Sequence, residues 1–140
     1  MITLFLALAA SLPIIPDHVM TPGVVDPVAT RQKICTPGYT ATVRHVPPSL
    51  KKKVFARYKI DPKSDKFEVD HLISLELGGS NDINNLWPQS YTTQPWNARK
   101  KDRLENKLRF FICTGVIDMK TAQDDISGDW TVAYKKYVGE

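Results

Sequence analysis

The stretch from residue 66 to residue 112 limits the possible folds more than any other part of the chain. The alternation in KFEVDHLISLEL, residues 66–77, predicts a strand that runs into a loop. The composition of GGSND, residues 78–82, is typical of a turn, and NLWP at residues 85–88 predicts a short returning segment. Apolar residues at helical spacing then predict a helix over residues 96–112. A strand, a loop, a return segment and a helix are thus expected in series.

The flanking regions predict further secondary structure. The segment YTATVRHV, residues 39–46, alternates and is rich in β-branched residues, which favours a short strand. Ser49 is placed to cap an amphipathic helix over residues 50–58, and helical spacing recurs near residues 121–126 and again from Asp129. With 140 residues, 42% of them apolar, the chain has the length and composition of one globular domain. We therefore predict an α+β fold with an additional short strand and flanking helices.

The N-terminal region differs in composition from the rest. Residues 1–15, MITLFLALAASLPII, are almost wholly apolar but too few to span a bilayer, which needs about 20. The run is typical of a secretory signal, although no Lys or Arg precedes it; an uncleaved anchor or a buried N-terminal element is the alternative. We predict a signal-like segment at residues 1–20, an extended arm or linker at 21–34 and a single domain at 35–140. The protein is then exported, periplasmic or extracellular, with no stable membrane association after cleavage.

Cys35 and Cys113 are the only cysteines in the chain. In an exported protein an even pair indicates one disulfide, and closing so long a loop stabilises the fold by about 4 kcal/mol. Two buried free thiols are the alternative if the protein stays in a reducing compartment. Two cysteines this far apart make no zinc site without other ligands.

Polar residues lie at the junctions of the series from residue 66 to residue 112. Asp70-His71-Leu72-Ile73, then LELGG at residues 75–79, then Asn85-Leu86 and then Asn97-Ala98-Arg99-Lys100 resemble the HNH motif of the ββα-metal nucleases. Flanking sequences such as ICTPGYTATVR and QDDISGDW are similar to those of small exported bacterial proteins that carry this motif. The resemblance implies a ββα-metal core over about residues 66–112 and hydrolysis of phosphodiesters to 3′-hydroxyl and 5′-phosphate ends.

The resemblance implies a role for each of these polar residues. His71 is the expected base that takes a proton from the attacking water, since an ordinary histidine pKa near 6.5 suits that task at neutral pH. Asp70 and Asn97 are the expected ligands of one divalent ion, Mg²⁺ first, with Mn²⁺ or another divalent ion as the alternative. Asn85 is expected to fix the tautomer and direction of the His71 imidazole. The helical projection turns Asn97 inward, onto the stripe that includes Leu104.

The two asparagines also have structural alternatives. Asn85 can serve as a turn or cap residue, with Asn84 taking its place beside the imidazole. Asn97 stands at the predicted helix start, where asparagine is a favoured N-cap, and a residue of the first turn can in part do both. The sequence leaves ligand and cap equally open for Asn97.

Two further acidic residues are close to the motif. Asp102 is a good ligand chemically, but it falls on the outer side of the predicted helix, where pairing with a neighbouring Arg or Lys is expected. Glu68 shares a strand face with Asp70, so it can support an ion through water; simple surface exposure is the alternative.

The charge balance suits a polyanionic partner without requiring one, with 19 Lys and Arg against 15 Asp and Glu, a net charge of +4. Trp87 and Trp96 can stack on bases but are expected to pack in the core or at its rim. The candidate phosphate contacts are Arg44, Lys100, Lys101 and Arg103.

Taken together, these features predict a monomeric metal-dependent endonuclease that acts on DNA, with RNA as the alternative, and with little sequence preference. Backbone contacts should dominate, so that binding weakens with salt. Two other classes share the motif. One is a non-catalytic nucleic-acid-binding protein, and the other is a secreted nuclease toxin or effector paired with an inhibitor or immunity protein.

Overall fold

The computed structural model describes residues 14–140, so the apolar run at residues 1–13 of the predicted signal-like segment lies outside the described residues. The fold is α+β, as predicted, and no helix within residues 14–140 is long and apolar enough to cross a membrane. The elements are α1 (Arg31–Ile34), α2 (Tyr39–Val43), α3 (Pro48–Arg57), β1 (Phe67–His71), β2 (Leu86–Ser90), α4 (Ala98–Cys113), α5 (Met119–Gly128) and α6 (Trp130–Tyr137).

The strands β1 and β2 form an antiparallel hairpin from the alternating segment and the return segment. Its register pairs Asp70 with Trp87 and His71 with Leu86. Beyond β1 the chain makes a 3₁₀ turn at Leu75–Leu77 instead of continuing as a strand. Because successive side chains of a strand point to opposite faces, Asp70 and His71 project to different sides of the hairpin.

The loop between the two strands depends on its paired glycines. Gly78 ends the 3₁₀ turn with a φ of 87°, a conformation that side chains with a Cβ disfavour. Gly79 passes so close to Ile73 that a Cβ built on it would lie 1.7 Å from the Ile73 carbonyl oxygen. The N-terminal arm lies along this loop, where Val25 bridges to Gly79 and the Asp26 N–H donates to the Gly78 carbonyl oxygen at 2.8 Å.

The strand predicted over residues 39–46 is wrong, because Tyr39–Val43 form the short helix α2. Gly38 precedes it with a φ of 82°, and the Arg44 N–H donates to the Thr40 carbonyl oxygen at 3.0 Å. β-Branched residues favour a strand only where a neighbouring strand can pair with them, and here the backbone is satisfied locally. The helix instead packs beside the 3₁₀ turn that follows β1.

The helix predicted over residues 50–58 is confirmed as α3, although it begins earlier. Pro47 is its N-cap rather than Ser49, and Pro48 occupies the first turn, where a missing N–H costs nothing. The helix buries Val54 and Phe55 against the hairpin.

The three C-terminal helices surround the main apolar core. The long predicted helix is confirmed as α4, which buries Leu104, Leu108 and Ile112. The two shorter helices are confirmed as α5 and α6, with Asp118 and Asp129 as their N-caps. Both helices pack against α4 and share its apolar core.

The predicted disulfide is confirmed, with an S–S distance of 2.04 Å between Cys35 and Cys113. It joins the end of α1 to the end of α4. Two hydrogen bonds run beside it: Arg31 Nε donates to the Ile112 carbonyl oxygen at 2.9 Å and Arg109 Nε to the Ile34 carbonyl oxygen at 3.0 Å.

Candidate active site

The imidazole of His71 lies where β1 enters the glycine loop, and only 5% of the residue is exposed. Its Nε2 is 3.0 Å from the amide oxygen of Asn81, a residue of that loop. Asn81 is held in turn by the last residue of α2 and by the segment that follows it. Its Nδ2 donates to the Val43 carbonyl oxygen at 2.7 Å, and its Oδ1 accepts from the His45 backbone N–H at 3.2 Å.

These contacts determine the tautomer of His71. Asn81 presents its amide oxygen to the ring, and an amide oxygen can only accept a hydrogen bond. Nε2 therefore carries the hydrogen of the neutral imidazole, which leaves the lone pair on Nδ1. Nδ1 has no hydrogen bond from residues 14–140, and the fully buried, unpartnered side-chain atoms in that part of the chain both belong to Gln89. The lone pair of Nδ1 is thus free to accept a proton.

Burial lowers the pKa of His71 below its ordinary value. The bond to Asn81 and the negative charge of Asp70 oppose this effect, while the positive charges of Arg44 and Lys101 add to it. A histidine with a lowered pKa is neutral at pH 7, and the neutral ring is the form that acts as a base.

Asp70 projects to the other side of the hairpin, toward α4. Its Oδ2 lies 2.7 Å from the ammonium of Lys101 and accepts a hydrogen bond from Trp87 Nε1 at 3.2 Å. Trp87 is fully buried, so it packs in the core as expected. One oxygen of the Asp70 carboxylate is therefore held by a cation and an aromatic donor.

Lys101 is fully buried, and its ammonium contacts three oxygens. They are Asp70 Oδ2 at 2.7 Å, Glu105 Oε1 at 2.6 Å and the His71 carbonyl oxygen at 2.8 Å. Burial lowers the pKa of Lys101, but the two carboxylates outweigh it and raise the pKa overall, so the amine stays charged. Burial raises the pKa of Glu105, and the attraction of Lys101 offsets only part of that rise.

The predicted phosphate contacts are in different environments. The predicted phosphate contact of Lys101 is not supported, because its ammonium is buried and its three donors are used. Lys100 lies over the Trp96 ring at 5.0 Å, and Arg103 pairs with the C-terminal Glu140 at 2.5 Å. Arg44 is exposed at the end of α2 and is near enough to His71 to lower its pKa. Of the two predicted cations whose charges act on the imidazole, Arg44 is exposed and Lys101 is buried.

Asn85 was predicted to bind the His71 imidazole, but its side chain makes its hydrogen bonds elsewhere. Its Oδ1 accepts from the backbone N–H groups of Ile73 at 3.0 Å and Val24 at 3.2 Å. Its Nδ2 donates to the carbonyl oxygens of Ile73 at 3.0 Å and Ser80 at 2.8 Å. The side chain is therefore used entirely in shaping the loop, and the asparagine four residues earlier makes the contact with the ring.

Asn97 is the N-cap of α4. Its Oδ1 accepts from the Lys100 backbone N–H at 3.1 Å, and its Nδ2 donates to the Thr93 carbonyl oxygen at 3.1 Å. The sequence leaves two roles open for Asn97, metal ligand and helix cap. The contacts in the structure are those of the cap.

The two residues predicted to hold a divalent ion, Asp70 and Asn97, are engaged in other contacts. The Asp70 oxygen that faces α4 is bound to an ammonium, and both amide atoms of Asn97 are used around the helix start. Among the residues from 14 to 140, no group of three or more His, Cys, Asp or Glu is placed to hold a metal ion.

A cleft of about 330 Å³ opens beside the buried ion pair. Arg44 and Glu105 both line it, so the cleft extends from the residue after α2 to one carboxyl partner of Lys101. Asp102 lines it as well, and burial and then the charge of Asp70 raise its pKa. Its predicted surface ion pair is not found in the described part of the chain. The remaining lining residues are Thr40, Ser74, Glu76 and Asn106.

Glu68 lies on the same hairpin face as Asp70. Burial first, and the charge of Asp70 second, raise the pKa of Glu68 to about 7. The register places it opposite Gln89, whose amide nitrogen and oxygen are buried without a partner in the described chain. A negative charge on this face of the hairpin is therefore poorly solvated.

Comparison with known proteins gave no match: no family model, curated protein or solved structure is significantly similar to this chain. The family resemblance thus remains a prediction.

Sequence reasoning missed Asn81, Lys101 and Glu105 as partners in this site. A signal for Lys101 was present, because it precedes Leu104 by three residues and Leu108 by seven and so lies on the buried stripe of α4. Glu105 lies one turn further on, at the spacing of a helical ion pair. No comparable signal marked Asn81, because loop residues have no periodicity.

Proposed function

We propose that this protein hydrolyses phosphodiester bonds in nucleic acid, with DNA as the first substrate to test and RNA as the alternative. The observation that supports the proposal most directly is the fixed tautomer of His71. A neutral imidazole with its lone pair on Nδ1 and its Nε2–H bound to Asn81 is arranged to take a proton from water.

The residues around His71 have complementary tasks in this proposal. When Nδ1 takes the proton, Asn81 continues to accept from Nε2–H, and the negative charge of Asp70 stabilises the imidazolium. Arg44, exposed beside the ring, is the candidate that contacts a phosphate oxygen and offsets its growing negative charge. Asn85 contributes indirectly by fixing the loop.

A divalent ion would supply positive charge at the phosphate, but the side chains predicted to hold it are engaged in other contacts. Mg²⁺ dependence therefore remains a prediction, to be tested with Mg²⁺, with Mn²⁺ and with EDTA.

Export remains part of the proposal. A disulfide forms and persists in oxidising compartments, so the Cys35–Cys113 bond supports a periplasmic or extracellular location. A secreted nuclease could also act as a toxin, for which an inhibitor or immunity protein would be the partner.

A non-catalytic nucleic-acid-binding protein is the second candidate. The observation that favours it is the ion pair of Asp70 with Lys101, since a nuclease of the ββα-metal type needs that carboxylate for its ion. Such a protein would retain DNA on a column without cutting it under any of the metal conditions.

Plasmid cleavage by the chain lacking residues 1–13 tests the proposal, with His71→Ala as the main variant. We expect a loss of at least a hundredfold, because removal of a general base costs about 10²–10⁴ in rate. His45→Ala is the matched control, since this exposed histidine contacts Asn81 only through its backbone. Equal cutting by His71→Ala would refute the assignment of the base.

Asn81→Ala tests the tautomer separately. Without the amide oxygen the proton can move between the two ring nitrogens, so we expect about a tenfold loss in kcat with little change in KM. A change in KM alone would mean that Asn81 acts on substrate binding rather than on the ring.

A further inference from the structure

The ammonium of Lys101 lies where the resemblance would place a divalent ion. The resemblance expects that ion on Asp70, between the end of β1 and the helix that follows. In this protein α4 supplies a primary amine to that position, and the amine is 2.7 Å from the Asp70 carboxylate.

The surroundings of this amine are those of a small cation site. Its three partners are oxygens, two of them carboxylate oxygens and one the carbonyl oxygen of His71, at 2.6–2.8 Å. Carboxylate and carbonyl oxygens are also the ligands that Mg²⁺ prefers, at about 2.0–2.1 Å. An ion held by the same oxygens would need them to move inward by roughly half an ångström.

An ion from solvent could reach this position. The side chains of Asp70 and Glu105 are 11% and 10% exposed, and Glu105 lines the cleft that Arg44 also borders. The ammonium occupies the Asp70 oxygen that faces α4 and one Glu105 oxygen, so an ion bound by these two oxygens would have to displace it.

We propose that Lys101 is a built-in replacement for the divalent ion, and that its ammonium excludes metal from Asp70. It balances the carboxylates of Asp70 and Glu105 and binds the His71 carbonyl oxygen, so it positions the backbone of the candidate base. It does not touch substrate, because it is fully buried. The proposal does not depend on nuclease activity.

Binding of Mn²⁺, followed by its electron paramagnetic resonance signal, tests this proposal on the folded chain. The variants are Lys101→Met, which removes the charge but keeps the length, and Lys101→Met with Asp70→Asn. Lys100→Met is the matched control, since Lys100 is the preceding residue and is not fully buried.

We expect Lys101→Met to bind one Mn²⁺ per chain at least tenfold more tightly than the unaltered protein does. The gain should vanish when Asp70→Asn is added and should be absent from Lys100→Met. A folded Lys101→Met protein that gains no Mn²⁺ affinity would overturn the proposal.

A second comparison decides the matter if Lys101→Met does not fold. The unaltered protein and Asp70→Asn should then bind Mn²⁺ equally, because the proposal holds that Asp70 is no metal ligand while Lys101 is present. Binding that is tenfold tighter in the unaltered protein would show that an ion displaces the ammonium. These are binding measurements, so their outcome is independent of whether the protein cuts DNA.

Discussion

Asp70 and His71 are neighbours in sequence but lie in opposite environments. Asp70 faces α4 and is bound to a buried cation, whereas His71 faces the glycine loop and is held by a neutral amide. On the helix side all three donors of the ammonium are used. On the loop side one nitrogen of the ring remains free of hydrogen bonds from residues 14–140.

This difference separates structural from chemical roles within a single dipeptide. A buried ammonium whose three donors are all used is costly to disturb and has no donor left for a substrate. A polar ring with one committed and one free nitrogen can exchange a proton. Mutations on the helix side should therefore lower mainly the stability of the protein, and mutations on the loop side should lower mainly its activity.

The largest effect on stability is expected for Lys101→Ala. Removing the amine leaves two buried carboxylates without their cation, and breaking one partner of a buried pair costs about 3–5 kcal/mol. Denaturant unfolding measures the change, with Lys100→Ala as a control expected to stay within about 0.5 kcal/mol. A cost below about 1 kcal/mol would mean that the buried ion pair contributes little to this side of the hairpin.

Asn85→Ala should have the next largest effect, because its amide makes four hydrogen bonds to the backbone of the loop and arm. Leaving those buried groups unpaired should lower the free energy of unfolding by about 2–3 kcal/mol. Asn84→Ala is the matched control, since its side chain is exposed and accepts from Arg57 at 3.3 Å. If cleavage fell while stability was unchanged, Asn85 would have the direct role first predicted for it.

Glu68→Gln should change how stability depends on pH. The pKa of Glu68 is raised to about 7 in the folded protein, from 4.5 as its ordinary value. The unfolded chain therefore loses this proton first, and stability falls as pH rises from about 4.5 to about 7.

The glutamine variant removes that loss. The difference in free energy of unfolding between Glu68→Gln and the unaltered protein should be about 1–2 kcal/mol more favourable to the variant at pH 8 than at pH 4. This figure is reduced for the partial exposure of Glu68. Thermal unfolding at the two pH values measures the difference. An identical pH dependence in both proteins would mean that ionised Glu68 is well solvated.

The smallest effect is expected for Asn97→Ala, which removes the N-cap of α4. Loss of an asparagine cap costs about 1 kcal/mol, measurable by denaturant unfolding. Asn97→Asp is the control, because aspartate caps a helix as well as asparagine does and should keep most of the stability. Loss of Mg²⁺ affinity in Asn97→Ala but not in Asn97→Asp, whose carboxylate can also bind the ion, would instead restore Asn97 as a ligand.

Periodic features of the chain could be predicted because their causes are local. The apolar spacing of α3 and α4 and the alternation of β1 reflect which face is buried, and they are visible along the sequence. The segment at Tyr39–Val43 was misread for the opposite reason. Its β-branched residues require a partner strand, and whether one is present depends on the rest of the fold.

The order of the motif residues along the chain was enough to single out Asp70 and His71 and to place them at a strand end before a glycine loop and a helix. The partners of these two residues depended on the tertiary structure. Asn81 reaches the ring because α2 and the loop meet, and Lys101 reaches Asp70 because α4 packs on the 3₁₀ turn that follows β1. The sequence determines which chemical groups are present. A hydrogen bond or an ion pair also requires a short distance between two groups, and here only folding brings their segments together.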